Sequence, residues 1–345
     1  MTTTVVRDAL DLVAVATWLR SQALDVDEPL EAEVITGGRS NLTFFVADAA
    51  GRRWVLRRPP LGSVLATAHD VGREYKVLSA LAGTLVPVPR VIGTGADAQG
   101  VAFYFMHEEP GLVLRDAAAA RPLTHEARSR CGESLAEALA ALHAVDPEQV
   151  GLGRLGRGDD YVARQITMWQ WQAEQHRRTN LPEADAVRDQ LLATLPVQAE
   201  TTLVHGDYRL DNTLVTRVGR VQAVLDWELC TRGDPLADLG IFLYYWTEPA
   251  DPVQPFPDPA TLLPGFCERA SLLDHYVRAS GRDLNRLPYY LAYAAWRLAL
   301  VLEGVAGRSA SGAYGAPDAA EERRLAEVAD GLVVHAAELL RQDSS

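Results

Sequence analysis

Sulfur is scarce in this chain. Its 345 residues hold three cysteines, Cys131, Cys230 and Cys267, with no two at CxxC spacing. Scattered in this way they support neither a zinc site nor a disulfide framework, and they fit a reduced, cytoplasmic compartment. Basic charge is also short: 33 Lys and Arg against 46 Asp and Glu leave a net charge of -13. That balance argues against nucleic-acid and anionic-membrane partners, which need a basic surface. The longest apolar run, 289–302, is interrupted by Arg297 and is too short to span a bilayer, so it reads as a buried helix. The first eight residues lack a basic stretch followed by an apolar one, so no secretory signal is expected. A Gly-x4-Gly-Lys-Ser/Thr string is missing, which removes the P-loop fold. Internal repeats are missing as well.

What is present is ordinary globular composition, 48% hydrophobic and 23% charged, in a chain long enough for two lobes with cores of their own. An amphipathic helical pattern over 10–23 precedes strand-like runs at 30–35, 42–47 and 53–57. Asp48-Ala49-Ala50-Gly51 makes a plausible hairpin turn between the last two. A helix is expected over 71–81, then strands over 90–93 and 101–106. Beyond Pro110-Gly111 the pattern becomes helical, over 125–144, 160–178 and 184–193, and helices resume after a hairpin to about residue 340. Proline-rich 248–259 cannot form regular helix.

The stretch Leu203-Val204-His205-Gly206-Asp207-Tyr208-Arg209-Leu210-Asp211-Asn212 is the most informative in the chain. Its apolar lead-in places His205 and Asp207 at a strand end, and Asn212 follows five residues after Asp207. A second apolar run, 221–225, ends in Asp226, fourteen residues beyond Asn212. A carboxylate, an amide and a second carboxylate so arranged match the needs of phosphoryl transfer. Asp207 orients or deprotonates an attacking hydroxyl, while Asn212 and Asp226 hold magnesium on nucleotide phosphates. His205 fits a bracing role better than that of a base, because Asp207 is the better-placed carboxylate. Asp238 reads as a brace receiving backbone donors of this loop, or as a helix cap.

His-x-Asp-x4-Asn, Asp226-Trp227-Glu228 and Gly233-Asp234-Pro235-Leu236-Ala237-Asp238-Leu239-Gly240 resemble the aminoglycoside phosphotransferase and choline kinase families. Val-Leu-Arg-x-Pro-Pro and Arg-Glu-Tyr resemble, within them, the kinase-like domains attached to some acyl-CoA dehydrogenases. The resemblance covers almost the whole chain. It implies an α+β, bilobal protein-kinase-like fold, with a small antiparallel-sheet N-lobe (1–106), a hinge (107–111) and a mostly helical C-lobe (112–345). It also implies ATP as phosphoryl donor and a small-molecule hydroxyl as acceptor.

Several further positions take roles from the same resemblance. Gly37, Gly38 and Ser40 lie in the loop joining the first two strands, where adjacent glycines let backbone amides approach phosphate. Arg57 stands where kinases usually carry lysine, a departure that keeps phosphate affinity but changes reach. Arg58 should face the opposite side of that strand. Glu74 occupies the place of the pairing glutamate. Met106 would flank adenine, with backbone groups of His107 and Glu109 contacting it. Only twelve residues separate Asp226 from Asp238, and no Ala-Pro-Glu follows. That leaves little room for an activation segment, so a small acceptor and an unswitched site are expected.

Two acceptor classes remain open, a hydroxyacyl metabolite and an aminoglycoside. The first would use cations, with Arg164, Gln165, Trp169 and Trp171 as a candidate wall. The second would use carboxylates such as Asp251, Asp258 and Glu303. A catalytically inactive nucleotide-binding module is the alternative that the missing lysine raises. Oligomeric state is not readable from the sequence.

Overall fold

The structure is a computed structural model that describes residues 10–35, 41–60, 70–97, 99–176, 182–310 and 318–343. The described residues fall into two compact units. One comprises residues up to Gly111 together with Gln222–Cys230, and the other comprises Leu112–Val221 and the chain from Thr231 onward.

In the first unit, helix α1 (Leu12–Ser21) begins where the Asp11 carboxylate accepts the N–H groups of Val13 and Ala14, both at 3.1 Å. Strands β1 (Glu31–Val34), β2 (Leu42–Ala47) and β3 (Arg53–Arg58) follow, then helix α2 (Val71–Leu81), β4 (Val91–Ala96) and β5 (Ala102–His107). All pairings are antiparallel, in the order β1-β2-β3-β5-β4. The expected 48–51 turn joins β2 and β3. The Asp48 carboxylate accepts the N–H groups of Ala50 and Arg52, and Gly51 supplies a φ of 82°. One sheet face packs on α1, with Trp18 stacked on Phe105 at 5.1 Å and edge-on to Phe103 at 5.4 Å. A Cβ at Gly95 would lie 2.6 Å from Phe103 and 2.7 Å from Trp18, so that close approach requires glycine.

The second unit contains α3 (Ala117–Ala120), α4 (His125–His143), α5 (Tyr161–His176), α6 (Pro182–Ala193), β6 (Thr202–Val204) and β7 (Thr213–Val215). After β8 (Val221–Val224) come β9 (Thr231–Gly233), α7 (Pro235–Tyr245), α8 (Arg269–Ser280), α9 (Leu287–Ala310) and α10 (Ala319–Asp343). The core of this unit centres on α9, where Tyr289, Tyr293, Trp296 and Ala299 are buried among residues of α5, α6, α7 and α10. Polar tips in that core are anchored: Trp296 Nε1–H donates to the Ala184 carbonyl at 2.9 Å, and the Tyr290 hydroxyl to Asp234 at 2.7 Å. The apolar run 289–302 is thus a buried helix, as its composition suggests. No described helix is long and apolar enough to cross a membrane.

Residues 222–230 lie within the span 112–345 but cluster with the first unit. The reason is a set of specific ties. Val224 N–H donates to the Pro87 carbonyl at 2.8 Å, Arg73 reaches the Cys230 carbonyl at 2.6 Å, and Arg57 reaches Asp226. Trp227, buried behind them, donates its indole N–H to the Val224 carbonyl at 2.9 Å.

Candidate active site

In the first unit, strand alternation sends neighbouring arginines to opposite faces. Arg58 pairs with Asp97 at 3.1 Å. Arg57 instead divides its fork between two carboxylates, with Nε 2.8 Å from Glu74 and a terminal nitrogen 2.5 Å from Asp226. Glu74, on the first turn of α2 and 1% exposed, also accepts the Asn41 amide at 2.8 Å and the Tyr104 hydroxyl at 2.9 Å. Burial pushes the Glu74 carboxyl upward, and Arg57, Tyr104 and Asn41 oppose it. For Arg57, burial works against the charge. Glu74 and Asp226 more than offset that and hold the guanidinium above its ordinary value.

Asp226 has φ 64° and ψ 62°, a left-handed conformation uncommon for a residue with a side chain. It opens the short 3-10 turn Trp227–Leu229, which brings Glu228 to the same side. One carboxylate oxygen each from Glu74, Asp226 and Glu228 lie within 4.8 Å of one another. Glu74 is committed to three donors and Asp226 Oδ1 to Arg57, and carboxylate oxygens of this kind are the ligands a hard cation takes. Glu228 is a residue that sequence reasoning missed. The signal was the two-residue step from Asp226, which a strand would have sent to the same face and which the turn delivers instead.

The expected nucleotide-flanking residues are also in this unit. Met106 is buried on β5 opposite Val55 and Val91. The His107 N–H is spent on the Arg90 carbonyl at 2.8 Å, so it is unavailable to a base. Glu109 N–H has no hydrogen-bond partner among the described residues. Its carboxylate faces Arg90 at 3.4 Å. Gly37, Gly38 and Ser40 lie outside the described residues.

In the second unit, antiparallel pairing of β6 with β9 sets Thr202 opposite Gly233. The chain leaving β6 therefore enters a loop beside the first turn of α7. Asp238 on that turn is fully buried and accepts the N–H of His205 at 2.6 Å and of Gly206 at 2.9 Å. Its Oδ2 also lies 3.3 Å from His143 Nε2, while His143 Nδ1 meets the Tyr276 hydroxyl at 2.8 Å. Burial pushes the Asp238 carboxyl upward, but His143 and the loop amides outweigh it and the net direction is downward. Burial holds His143 below its ordinary value, so the neutral ring donates Nε2–H to Asp238. The helix-cap reading of Asp238 gives way to the bracing one, and Asp234 is the cap, accepting Leu236 N–H at 2.9 Å.

The braced loop presents Asp207. Asn212, on the 3-10 turn Leu210–Asn212, donates its amide to the Asp207 backbone carbonyl at 2.9 Å and to carboxylate Oδ2 at 3.0 Å. Arg209 Nε lies 3.2 Å from the same oxygen. His205 is fully buried and its Nδ1 accepts Asp207 N–H at 3.3 Å, a strut within the loop. On Oδ1, at 4.0 Å, is Arg297 of α9, whose guanidinium lies 4.6 Å over the Trp169 ring. Arg297 was also missed as a site residue. A lone cation in an apolar run was the signal, and it served only to exclude a membrane span.

Sequence comparison decides the kinship. The phosphotransferase enzyme family matches residues 31–290, three-quarters of the chain. The chain belongs to that family. Members of kindred architecture include a provisionally assigned aminoglycoside phosphotransferase from Ralstonia eutropha JMP134. Its crystal structure superposes with a TM-score of 0.77 at 31% identity, covering 95% of this chain and 98% of that one. The shared fold is the α+β, protein-kinase-like one, a five-stranded antiparallel sheet with a helical C-terminal part. Acyl-CoA dehydrogenase family member 11 of Rattus norvegicus is 37% identical over 281 residues, 79% of this chain and 35% of that protein. Family member 10 of Mus musculus is 32% identical over 313 residues, 87% of this chain and 28% of that protein. The phosphotransferase-family chain thus spans about a third of the length of these curated relatives.

Proposed function

We propose that this family member is an ATP- and magnesium-dependent kinase of a small molecule, transferring the γ-phosphoryl group to an acceptor hydroxyl. The observation that carries the reading is the clasp of Asn212 on Asp207, in a loop whose amides are fixed by buried Asp238. A carboxylate held in this way by neighbouring donors is pre-positioned, which is what a loose phosphoryl-transfer transition state needs most.

Asp207 orients the acceptor hydroxyl and takes its proton as the hydroxyl oxygen bonds to phosphorus and the bond to the bridging oxygen breaks, with ADP as leaving group. The proton then passes from Asp207 to solvent. The Asp226 and Glu228 oxygens suit magnesium, with Asn212 assigned as a further ligand by family resemblance. When bound, the ion neutralises phosphate charge. Arg57 serves the phosphates in place of lysine, and Met106 with the Glu109 N–H, unpartnered among the described residues, supports an adenine subsite.

A screen of hydroxylated compounds (hydroxyacyl-CoAs, hydroxy acids, sugars, choline and aminoglycosides) with ADP release as readout tests the proposal. Magnesium-dependent ADP release with at least one acceptor, lost in Asp207→Ala, is expected. Wild-type rates in Asp207→Ala would overturn the assignment. The engagement of Arg57 with Asp226 favours a second reading, an inactive nucleotide-binding module. Nucleotide binding with no turnover on any acceptor is its signature.

A further inference from the structure

One face of α7 runs along the 203–212 loop. Asp238, Phe242 and Tyr245 are spaced four and then three residues apart, so they line up over two helical turns. Asp238 holds the backbone amides of His205 and Gly206. Phe242, 1% exposed, meets the Tyr208 ring edge-on at 5.3 Å. Tyr245, the last residue of the helix, carries the Arg209 guanidinium 5.0 Å over its ring centroid. The helix thus supports the loop at three successive points, and the last of them reaches a side chain beside Asp207.

Arg209 is engaged by two carboxylates. Its Nε lies 3.2 Å from Asp207 Oδ2, and a terminal nitrogen lies 3.1 Å from Asp211. Asn212 donates to the same Asp207 oxygen at 3.0 Å. Rotation of an Asp carboxylate about its Cβ–Cγ bond is soft, and two donors on one oxygen restrain it. Asp207 Oδ1 has only Arg297 near it among the described residues, at 4.0 Å and beyond hydrogen-bond length. Oδ1 is therefore the oxygen left for an acceptor hydroxyl.

Tyr245 is itself backed by Phe256, whose ring lies nearly parallel to it, at 16° and 5.2 Å. Phe256 stands between Pro255 and Pro257, which restrict the backbone around it. The segment is also pinned: Asp251 is held by Arg269, Val253 packs on the core of the second unit, and the Pro255 carbonyl accepts from Arg324 at 3.5 Å. The prolines that exclude regular helix from 248–259 thereby give an aromatic ring a rigid mount.

We propose that Tyr245, backed by Phe256, is a positioning residue that holds the Arg209 guanidinium, and that Arg209 with Asn212 orients Asp207 so that Oδ1 meets the acceptor hydroxyl. This rests on the kinase reading above and deepens it. A cation over an aromatic face is attracted to the ring, and the planar guanidinium stacks on it. Arginine without that face has many rotamers from which to reach Asp207 and Asp211, and it orders neither.

The test has two arms on the full chain. NMR relaxation of the Arg209 Nε–H group, without nucleotide, reads the platform and does not depend on turnover. That group should be as rigid as the backbone in the wild type and in Tyr245→Phe, which keeps the ring. It should become mobile on the nanosecond timescale or faster in Tyr245→Leu, which keeps bulk but has no aromatic face. With an acceptor found by ADP release, Tyr245→Leu should lower kcat about tenfold or more, with the nucleotide KM within about threefold, and Tyr245→Phe should rescue it. A residue that merely fills space would lower stability without freeing Arg209 or splitting kcat from KM. Where Tyr245→Leu fails to fold, Phe256→Leu carries both arms, with Arg209 loosened and kcat lowered in the same direction. A rigid Arg209 in the leucine variants, equal defects in Tyr245→Phe and Tyr245→Leu, or a mobile Arg209 with unchanged kcat would overturn the proposal. Absence of turnover by the wild type on every acceptor would sink the kinase reading instead, with the relaxation arm still deciding whether Tyr245 holds Arg209.

Discussion

Arg57 and Asp226 are joined by a 2.5 Å ion pair although 169 residues separate them in the chain. The arginine that replaces the expected lysine therefore already holds a candidate metal ligand. The guanidinium fork meets Glu74 and Asp226 with two different nitrogens held in one plane, a fixed geometry that the compact lysine ammonium does not impose.

Truncating that fork strands a buried carboxylate. Arg57→Ala should destabilise the protein by about 3 kcal/mol in denaturant unfolding, because Glu74 loses its counter-charge inside the first unit. Glu74→Gln in the same background should recover part of the loss. A single-variant effect below about 1 kcal/mol would show that the pair is solvated in solution.

Asp226 adopts a left-handed backbone that glycine accepts without strain. Asp226→Gly should be more stable than Asp226→Ala by about 1 kcal/mol, although both lack the carboxylate. Both should lose magnesium-dependent nucleotide binding, read by titration of ATP with and without the ion. Glu228→Gln should raise the magnesium concentration required while leaving folding unchanged. Unaltered magnesium dependence there would remove Glu228 from the ligand set.

Replacement of Asp207 should separate chemistry from binding. Turnover in Asp207→Asn should fall by at least 100-fold, with nucleotide affinity within about threefold of the wild type. A parallel loss of nucleotide affinity would point to a structural role for the loop instead.

Acid should loosen the second unit in two stages. His143 is held below its unfolded value of 6.5 by burial, so the unfolded chain takes up the proton first and stability falls as pH drops below that value. Asp238 is held below 3.8, so its contribution, present above 3.8, is lost only as pH falls from there through its lower folded value. Urea midpoints between pH 8 and 5 should decline in the wild type and decline less in His143→Gln, which keeps a donor for Asp238. Parallel declines would assign the first stage to another group.

Much was legible without coordinates. Period-two and period-3.6 patterns gave β2, β3, α2 and α4 close to their observed bounds, because each buries one face and is punctuated by local turn or cap chemistry. The 48–51 turn is of this kind, since Asp48 and Gly51 complete it with neighbours. The residues of the Asp207–Asn212 pair were readable from their five-residue spacing, but their hydrogen bond was not, since Asn212 was expected as a metal ligand.

Other features depended on partners far along the chain. The β6–β9 pairing rests on two three-residue strands, too short to leave a pattern. The expected acceptor wall on α5 also divided: Trp169 turns in to Arg297, whereas Trp171 is 60% exposed. The chain by itself determined the residue types and spacing of the 203–212 loop, which are local quantities, and through its family resemblance it implied the protein-kinase-like fold. Only the tertiary structure decided that Arg57 is shared with Asp226, that Glu228 joins it, and that a buried Arg297 stands beside Asp207. Those are electrostatic encounters set by distance in space, and sequence separation carries no record of them.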